Sequence, residues 1–265
     1  LTSAFFFILG YVDDRRHIRA LVRLIISAVV VGGALWAVPG LTVRTLSFSI
    51  SDPFSPIFLG PVVGAAFSIL CLVGLQNAAN MADGKNGLVI GISLIWTLLL
   101  FAYAPSHLDP LLIVLTISLS IALAFNLTGK VFLGDAGTYG LSVLIGLIAL
   151  YSYNVGFVNF PADAVVLMFL VPVVDTLRLI VSRGIKGRSP FSGDRDHLHH
   201  VLLSFMPWHW ALTTYLALVA LPSIAARYNV EWTSGLVIAT LALYAVLVAQ
   251  KYRPMIVGAS GSAST

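Results

Sequence analysis

Long runs of apolar residues alternate with short polar breaks along almost the whole chain. The runs occupy about 20–38, 54–75, 88–104, 109–127, 138–154, 163–182, 210–226 and 232–250, and Leu1–Tyr11 resembles the end of another. A helix needs about 20 apolar residues to cross a hydrocarbon core of about 30 Å. The pattern therefore predicts an all-α, polytopic integral membrane protein with about nine transmembrane helices in this chain.

One break carries a different pattern. Apolar residues and serines alternate singly over residues 46–51, between the first two complete runs. A repeat of two residues is typical of a β-strand with one apolar face. We therefore expect a short β-hairpin that lies on the external surface of the membrane.

The composition supports a membrane protein. Hydrophobic residues make up 58% of the chain and charged residues only 10%, and the mean hydropathy is +0.96. Because this number of charges is too small to cover a soluble globule of this size, lipid must cover most of the surface. The net charge of +4 could indicate nucleic-acid binding. We expect no nucleic-acid partner, because the basic residues lie in short breaks and follow a topological rule instead.

The basic residues fall on one side of the predicted membrane. Of the fifteen Lys and Arg residues, only Arg44 and Arg227 lie in the other set of breaks. The remainder are Arg15, Arg16, Arg19, Arg23, Lys85, Lys130, Arg178, Arg183, Lys186, Arg188, Arg195, Lys251 and Arg253. Because Lys and Arg are enriched in cytoplasmic loops, these breaks are predicted to be cytosolic.

The two ends of the chain differ from its centre. The first residue lies inside an apolar run and is not Met, so we interpret the chain as truncated at its N-terminus. Residues 257–265 are rich in Gly, Ser and Ala and are predicted to be a disordered tail. Residues 1–256 are predicted to form a single transmembrane domain.

Acidic residues occur at several cytosolic breaks, where ionisable groups at a membrane boundary are often functional. Asp13 and Asp14 end the first run, and neighbouring residues on a helix point about 100° apart, so they cannot share one role. A structural alternative is that both pair with the arginines that follow them. Asp175 and Arg178, three residues apart near the inner end of a run, are interpreted as a structural pair.

The second polar break carries amides and an acid at regular spacing. Asn77, Asn80 and Asp83 recur every third residue, so they share one face if the preceding helix continues. Carboxylate and amide oxygens together suit a hard cation such as Mg²⁺, or the hydroxyls of a nucleotide sugar. The alternative is an ordinary helix C-terminus with Asn and Gly capping, which leaves Asp83 unexplained.

A third break sets Asp135 between Gly134 and Gly137, directly before an apolar run. Backbone N–H groups at a helix start favour phosphate, and the acid favours a metal ion. The alternative is that Asp135 is the N-cap of the next helix, and both interpretations can hold together.

The fourth break combines arginine with three histidines. Arg195, His197, His199 and His200 lie in one cytosolic loop. A zinc site is not supported, because the loop contains neither Cys nor an H-E-x-x-H frame and its arginines would repel a cation. Arginine and histidine together fit the binding of a diphosphate better.

Taken in order, these motifs resemble those of the polyprenyl-phosphate N-acetylhexosamine-1-phosphate transferase superfamily, glycosyltransferase family 4. The matching residues are Asp13-Asp14-Arg15, Asn77-x-x-Asn80-x-x-Asp83-Gly84-x-x-Gly87-Leu88, Phe125-Asn126, Lys130-Val131-Phe132-Leu133-Gly134-Asp135-x-Gly137 and His197-x-His199-His200. Within the superfamily, Ser189-Pro190-Phe191 followed by 194–200 is similar to the WecA-type branch. One departure is Asn86, where the family often has a second acid.

The resemblance implies transfer of an N-acetylhexosamine 1-phosphate, in the first place N-acetylglucosamine 1-phosphate, from a UDP-sugar to undecaprenyl or another polyprenyl phosphate, with release of UMP. It implies Mg²⁺ as cofactor, with Mn²⁺ as an alternative, a bacterial inner membrane and a cytosolic active site that initiates cell-envelope polysaccharide synthesis. It leaves a homodimer open. Full-length relatives have ten or eleven helices, so about two helices and a cytosolic loop are expected to be missing here.

The resemblance also implies roles for individual residues. The expected catalytic residues are Asp13, Asp14, Asp83 and Asp135, and the expected metal ligands are Asp135, Asp83 and Asn80. The expected substrate-binding residues are Asn77, Asn80, Lys130, Phe132, Arg195, His197, His199 and His200.

Two other classes of function remain open. A lipid-linked-sugar transporter or flippase would also be polytopic, but such proteins place charges near the bilayer midplane and contain internal repeats. Here the acids cluster at the cytosolic boundary, and no repeat relates the two halves of the chain. An inactive relative is the other alternative, although all four acids of the motifs are present.

Overall fold

A computed structural model describes residues 1–50, 55–189 and 196–252, and helices dominate the described chain. The α-helices are α1 (Thr2–Arg16), α2 (Ala20–Ala37), α3 (Gly60–Ala82), α4 (Leu88–Leu100), α5 (Asp109–Leu127), α6 (Gly134–Gly156), α7 (Ala162–Ile185), α8 (Leu198–Leu203), α9 (Trp208–Tyr228) and α10 (Thr233–Ala249). Two short strands, β1 (Thr45–Leu46) and β2 (Ile57–Phe58), lie between α2 and α3.

Among the described residues, 7 helices are long and apolar enough to cross a membrane, namely α2, α3, α5, α6, α7, α9 and α10. The apolar helix α4 has 13 residues, which at about 1.5 Å per residue is shorter than a bilayer core. Large apolar side chains remain exposed on the outside of the bundle, as for Val29, Leu70 and Ile238. A surface of this kind is stable in lipid, so the predicted all-α, polytopic membrane fold is confirmed.

The predicted hairpin is present but lies partly elsewhere along the chain. β1 pairs with β2 in antiparallel register, with Thr45 opposite Phe58 and Leu46 opposite Ile57. The second strand therefore lies within the apolar run predicted to begin near 54. Residues 47–50 do not extend the first strand, because their polar groups bond to helices: the backbone oxygen of Ser47 accepts a hydrogen bond from the N–H of Ala162 at 2.7 Å.

Helix α1 packs against the start of α6 with unusually close backbones. A Cβ atom built on Gly10 would lie 2.3 Å from the backbone oxygen of Asp135. Only glycine permits this approach, and it places the polar end of α1 directly over the first turn of α6. Local sequence thus determines how two distant acidic motifs meet.

The two ends of the bundle carry different polar groups. At one end, which we call the aspartate end, lie Asp13, Asp83 and Asp135. At the opposite end, Asp163 at the start of α7 accepts hydrogen bonds from the N–H of Ser49 at 3.0 Å and the hydroxyl of Ser234 at 2.6 Å. These contacts attach the loop before β2 to α7 and α10, and they leave the aspartate end as the location of the candidate site.

Candidate active site

Asp14 is bound to the N-terminus of α6. Its Oδ1 accepts a hydrogen bond from the backbone N–H of Asp135 at 3.0 Å, and its Oδ2 accepts one from Ala136 at 3.2 Å. These N–H groups have no partners within the helix, and an anion there is favoured by the helix dipole. Asp14 therefore provides the cap that the sequence suggested for Asp135, which lies in the first turn of α6 instead.

Asp13 is bound quite differently from its neighbour. It is buried, and its carboxylate accepts hydrogen bonds from Arg23 at 2.8 Å, from the hydroxyl of Tyr139 at 2.7 Å and from the N–H of Ile18 at 2.7 Å. The alternative in which the acid pair binds the following arginines is wrong for Asp13, since its partner is Arg23 on α2. Asp13 thus joins α1, α2 and α6.

Helix α3 continues through both asparagines, as the spacing of its polar residues suggested, and ends at Ala82. Asp83 is the C-cap, and its Oδ2 accepts a hydrogen bond from the hydroxyl of Thr138 on α6 at 3.0 Å. Asn80 lies one turn earlier, whereas the amide of Asn77 donates back to the oxygen of Val73 at 2.7 Å.

Negative charge accumulates between these helix ends. Asp14 repels charge on both Asp83 and Asp135. Burial by the surrounding protein raises the pKa of the Asp83 carboxyl, although much of this residue's surface is open. The hydrogen bond from Thr138 opposes this rise, and the negative charge of Asp14 adds to it. Crowded carboxyls of this kind gain stability when a cation or a proton is bound.

The donor set fits an open Mg²⁺ or Mn²⁺ site rather than a closed one. Among the described residues, no group of three or more His, Cys, Asp or Glu side chains is arranged to hold a metal ion. Mg²⁺ does not need such a cage, because it keeps several waters and takes one or two carboxylates plus substrate phosphates. Asp83 and Asp135 could supply the carboxylates, and Asp83 Oδ1 accepts no hydrogen bond within the described chain.

The histidine motif is held against α7. Nδ1 of His197 lies 2.9 Å from Oδ2 of Asp175, and the N–H of Leu198 donates to both oxygens of Asp175 at 3.1 Å. The predicted pairing of Asp175 with Arg178 is present, since Arg178 Nη2 lies 2.9 Å from Oδ1 of Asp175. The contact between Asp175 and His197, which lies 22 positions further along the chain, was not predicted from the sequence.

His199 connects the histidine motif to the acid cluster. It is 2% exposed, and its Nε2 has no hydrogen-bond partner within the described chain. A Cβ atom on Gly84 would lie 2.4 Å from that nitrogen, so the histidine packs on the residue after Asp83. Burial and the rings of His200 and His197 lower the pKa of His199 to about 3, which keeps the ring neutral at physiological pH.

Two predicted binding residues, Lys130 and Phe132, do not lie in this cluster. Lys130 and Phe132 are exposed in the loop between α5 and α6, a few residues before Asp135. Asn126 fixes this loop, because its Oδ1 accepts from the N–H of Gly87 at 2.5 Å and its Nδ2 donates to Val131 at 2.7 Å. Arg195, another predicted binding residue, lies outside the described residues, as does the tail predicted at 257–265.

Sequence reasoning missed several partners of the acids. Arg23 and Tyr139 bind Asp13, Thr138 binds Asp83, and Tyr244 donates to Asp175 at 2.8 Å. A partial signal was available for two of them, because Thr138 and Tyr139 lie on the first two turns of α6, close to Asp135 in the sequence. Nothing local in the sequence indicates that α2 or α10 contributes.

Comparison with known proteins gives one consistent result. A family model described as glycosyl transferase family 4 matches residues 1–153. The undecaprenyl-phosphate alpha-N-acetylglucosaminyl 1-phosphate transferase of Yersinia pestis is 33% identical over 208 residues, which cover 73% of this chain and 54% of that protein. The decaprenyl-phosphate N-acetylglucosaminephosphotransferase of Mycolicibacterium smegmatis is 30% identical over 224 residues, covering 74% of this chain and 53% of that protein.

A relative from Bacillus subtilis matches over a longer stretch. This probable undecaprenyl-phosphate N-acetylglucosaminyl 1-phosphate transferase is 27% identical over 265 residues, covering 92% of this chain and 69% of that protein. The chain spans about half the length of the Yersinia and Mycolicibacterium relatives.

Proposed function

The chain belongs to glycosyl transferase family 4, and on that premise we propose that it transfers N-acetylglucosamine 1-phosphate from UDP-N-acetylglucosamine to a polyprenyl phosphate, with release of UMP. The relatives from Yersinia, Mycolicibacterium and Bacillus carry names that specify an undecaprenyl- or decaprenyl-phosphate and N-acetylglucosamine. A multi-pass membrane protein suits an acceptor that is itself anchored in lipid.

One observation carries the proposal. Asp14, Asp83 and Asp135 come from the ends of three different helices and meet at one end of the bundle, beside the histidine motif. Acids at the boundary of a bilayer can act on a lipid phosphate and a water-soluble nucleotide at the same time. A transporter would instead need charged groups along a path through the membrane, so this arrangement favours the transferase.

The proposed reaction is a single phosphoryl transfer. An oxygen of the polyprenyl phosphate attacks the β-phosphorus of the UDP-sugar and forms a new P–O bond. The bond from that phosphorus to the bridging oxygen breaks, and the bridging oxygen leaves as part of UMP. The protein has mainly to position the two substrates and stabilise negative charge that develops on the bridging oxygen.

The two neighbouring acids of α1 have separate roles in this scheme. A phosphate monoester has a second pKa of about 6 and is mostly ionised at neutral pH, so a strong base is not required. Asp14 positions Asp135 by holding the start of α6, and Asp13 fixes α1 to α2 and α6. Both are thus assigned to building the site, while Asp135 and Asp83 face the substrates.

Asp83 and Asp135, with Asn80 nearby, would hold Mg²⁺ or Mn²⁺. When bound, such an ion supplies positive charge that offsets the charge of the diphosphate. The remaining predicted groups serve the substrates directly: the histidines and Arg195 contact the diphosphate, while Lys130 and Phe132 lie at the boundary where the lipid phosphate would approach.

We place the aspartate end on the cytosolic side of a bacterial inner membrane, because nearly all Lys and Arg residues lie in the breaks on that side. A reporter fused within 184–207 is expected to be cytosolic, and one within 42–52 external. Finding both on one side would contradict this orientation.

The function is tested with a panel of UDP-sugars and polyprenyl phosphate in nanodiscs. We expect UMP release and lipid-linked sugar with UDP-N-acetylglucosamine, and loss of both in Asp135→Asn at any Mg²⁺ concentration. The matched control is Asp109→Asn, which removes a carboxylate from the first turn of α5 at the opposite end. Movement of lipid-linked sugar across the membrane without UMP formation would refute the transferase.

A further inference from the structure

Asp175 is the most extensively bonded carboxylate at the aspartate end. It is 3% exposed, inside α7. Its Oδ1 accepts from Arg178 at 2.9 Å and from the hydroxyl of Tyr244 at 2.8 Å, and its Oδ2 meets Nδ1 of His197 at 2.9 Å. A buried carboxylate is costly unless it is paired in this way, so these donors must stay in place together.

The bond to His197 determines what that ring offers to a ligand. An ionised carboxylate only accepts hydrogen bonds, so Nδ1 of His197 must carry the proton between them. Within the described chain, no hydrogen bond to Nε2 of His197 is present. Nε2 is therefore the nitrogen that remains for a substrate, and Asp175 determines its orientation.

The same helix also holds the backbone on both sides of His197. Arg178 donates to the backbone oxygen of Asp196, and the N–H of Leu198 donates to Asp175. The ring of His197 lies parallel to that of His199, with centroids 5.6 Å apart and an interplanar angle of 9°. Movement of Asp175 would thus be transmitted to the stacked histidines.

We propose that Asp175 is a positioning residue of the transferase site, which keeps Nδ1 of His197 protonated and directs Nε2–H towards the diphosphate of the UDP-sugar. The inference rests on the proposed function. In this arrangement the carboxylate of Asp175 accepts from Nδ1 at 2.9 Å and a phosphate oxygen would accept from Nε2, and hydrogen bonds to ionised acceptors of this kind are about twice as strong as neutral ones. Asp175 itself does not touch the substrate.

The test variant is Asp175→Asn, which preserves shape but removes the negative charge. Without the carboxylate, Nδ1 of His197 loses its ionised acceptor, and the amide no longer fixes which ring nitrogen carries the proton. We expect single-turnover UMP release to fall about 10- to 100-fold, the effect typical of a residue that orients a functional histidine. The affinity for polyprenyl phosphate alone should remain unchanged, since that substrate carries no diphosphate.

The decisive readout is ¹⁵N NMR of histidine-labelled protein in nanodiscs, with UDP as the diphosphate probe and His197→Gln to assign the signal. We expect both ring nitrogens of His197 to be protonated in the UDP-bound wild type, and only one in Asp175→Asn. If the variant does not fold, the wild-type spectrum still decides, because an unprotonated Nδ1 would overturn the proposal.

The matched control is Asp163→Asn in the same helix. Asp163 is also buried, at 6% exposure, but it binds Ser49 and Ser234 at the opposite end. We expect Asp163→Asn to lower the unfolding temperature while leaving UMP release within about twofold of wild type. An equal loss of turnover in both variants, or unchanged turnover in Asp175→Asn, would refute the positioning role. Absence of UMP release in the wild type would instead refute the proposed function, and the NMR result would be unaffected.

Discussion

The carboxylate of Asp14 holds the backbone of Asp135, with 3.0 Å between its Oδ1 and the N–H of that residue. The acid at the end of α1 therefore serves as the cap of α6, and the side chain of Asp135 is left free of that task. Gly10 makes this possible, because a side chain there would separate the two helices. Two acidic motifs more than a hundred residues apart thus form one unit.

The first prediction concerns Asp14→Asn. The amide keeps one acceptor oxygen but loses the second, together with the charge that interacts with the helix dipole. We expect a small loss of stability, at most about 1 kcal/mol, and a larger loss of UMP release because Asp135 is no longer held. Thermal unfolding in detergent measures the loss of stability, and single-turnover kinetics measure the loss of UMP release. A variant with wild-type stability and no turnover would indicate a direct chemical role for Asp14 instead.

Asp13→Asn is expected to act mainly on stability. Asp13 and Arg23 form a mostly buried ion pair at 2.8 Å, and removal of one partner leaves the other charge without compensation. Such losses cost about 3–5 kcal/mol, which should exceed the effect of Asp14→Asn. The double variant with Arg23→Met should recover part of the loss, as measured by chemical unfolding. If Asp13→Asn left unfolding unchanged, the pair would not be a structural element of the site.

The stability of the protein should depend on pH through His199. The unfolded ring takes up a proton below about 6.5, but the folded ring stays neutral until about pH 3. The unfolded state thus binds more protons in this window, and the free energy of unfolding falls as the pH is lowered, by up to about 1.4 kcal/mol per pH unit. Above pH 6.5 the contribution of His199 is fully present.

The comparison with His199→Gln isolates this effect, because other groups titrate as well. Asp83, whose pKa is raised in the folded protein, works in the opposite direction, since the folded state takes up its proton first as the pH falls. Unfolding measured from pH 7.5 down to pH 5 should show a shallower decline in the variant. Parallel curves for wild type and variant would mean that the ring is accessible to protons in the folded state.

Much of this architecture follows from the sequence, but the separate contacts and roles of the site residues do not. Length and polarity of the apolar runs predict the helices, and the positions of Lys and Arg predict one polar side, since both are local properties. Whether Asp13 or Asp14 is the buried member of the pair depends on how α1 packs. The bond between Asp175 and His197 depends on the path of a loop, which no periodicity describes.

The final prediction uses the contact between Gly84 and His199. In Gly84→Ala the new Cβ atom would lie 2.4 Å from Nε2 of His199, so the ring must move by about 1 Å to reach ordinary contact distance. The ring cannot move alone, because it packs against the tilted ring of His200, with centroids 4.2 Å apart. A shift of this size in a positioning group costs up to about 100-fold in rate, and we expect a loss of that order in UMP release.

Gly74→Ala is the matched control, since a Cβ there meets nothing within 4 Å, and alanine should favour the helix slightly. If both variants turned over at the wild-type rate, the packing of His199 on the loop after Asp83 would have no part in catalysis, and the histidine motif and the acid cluster would have to be treated as separate sites.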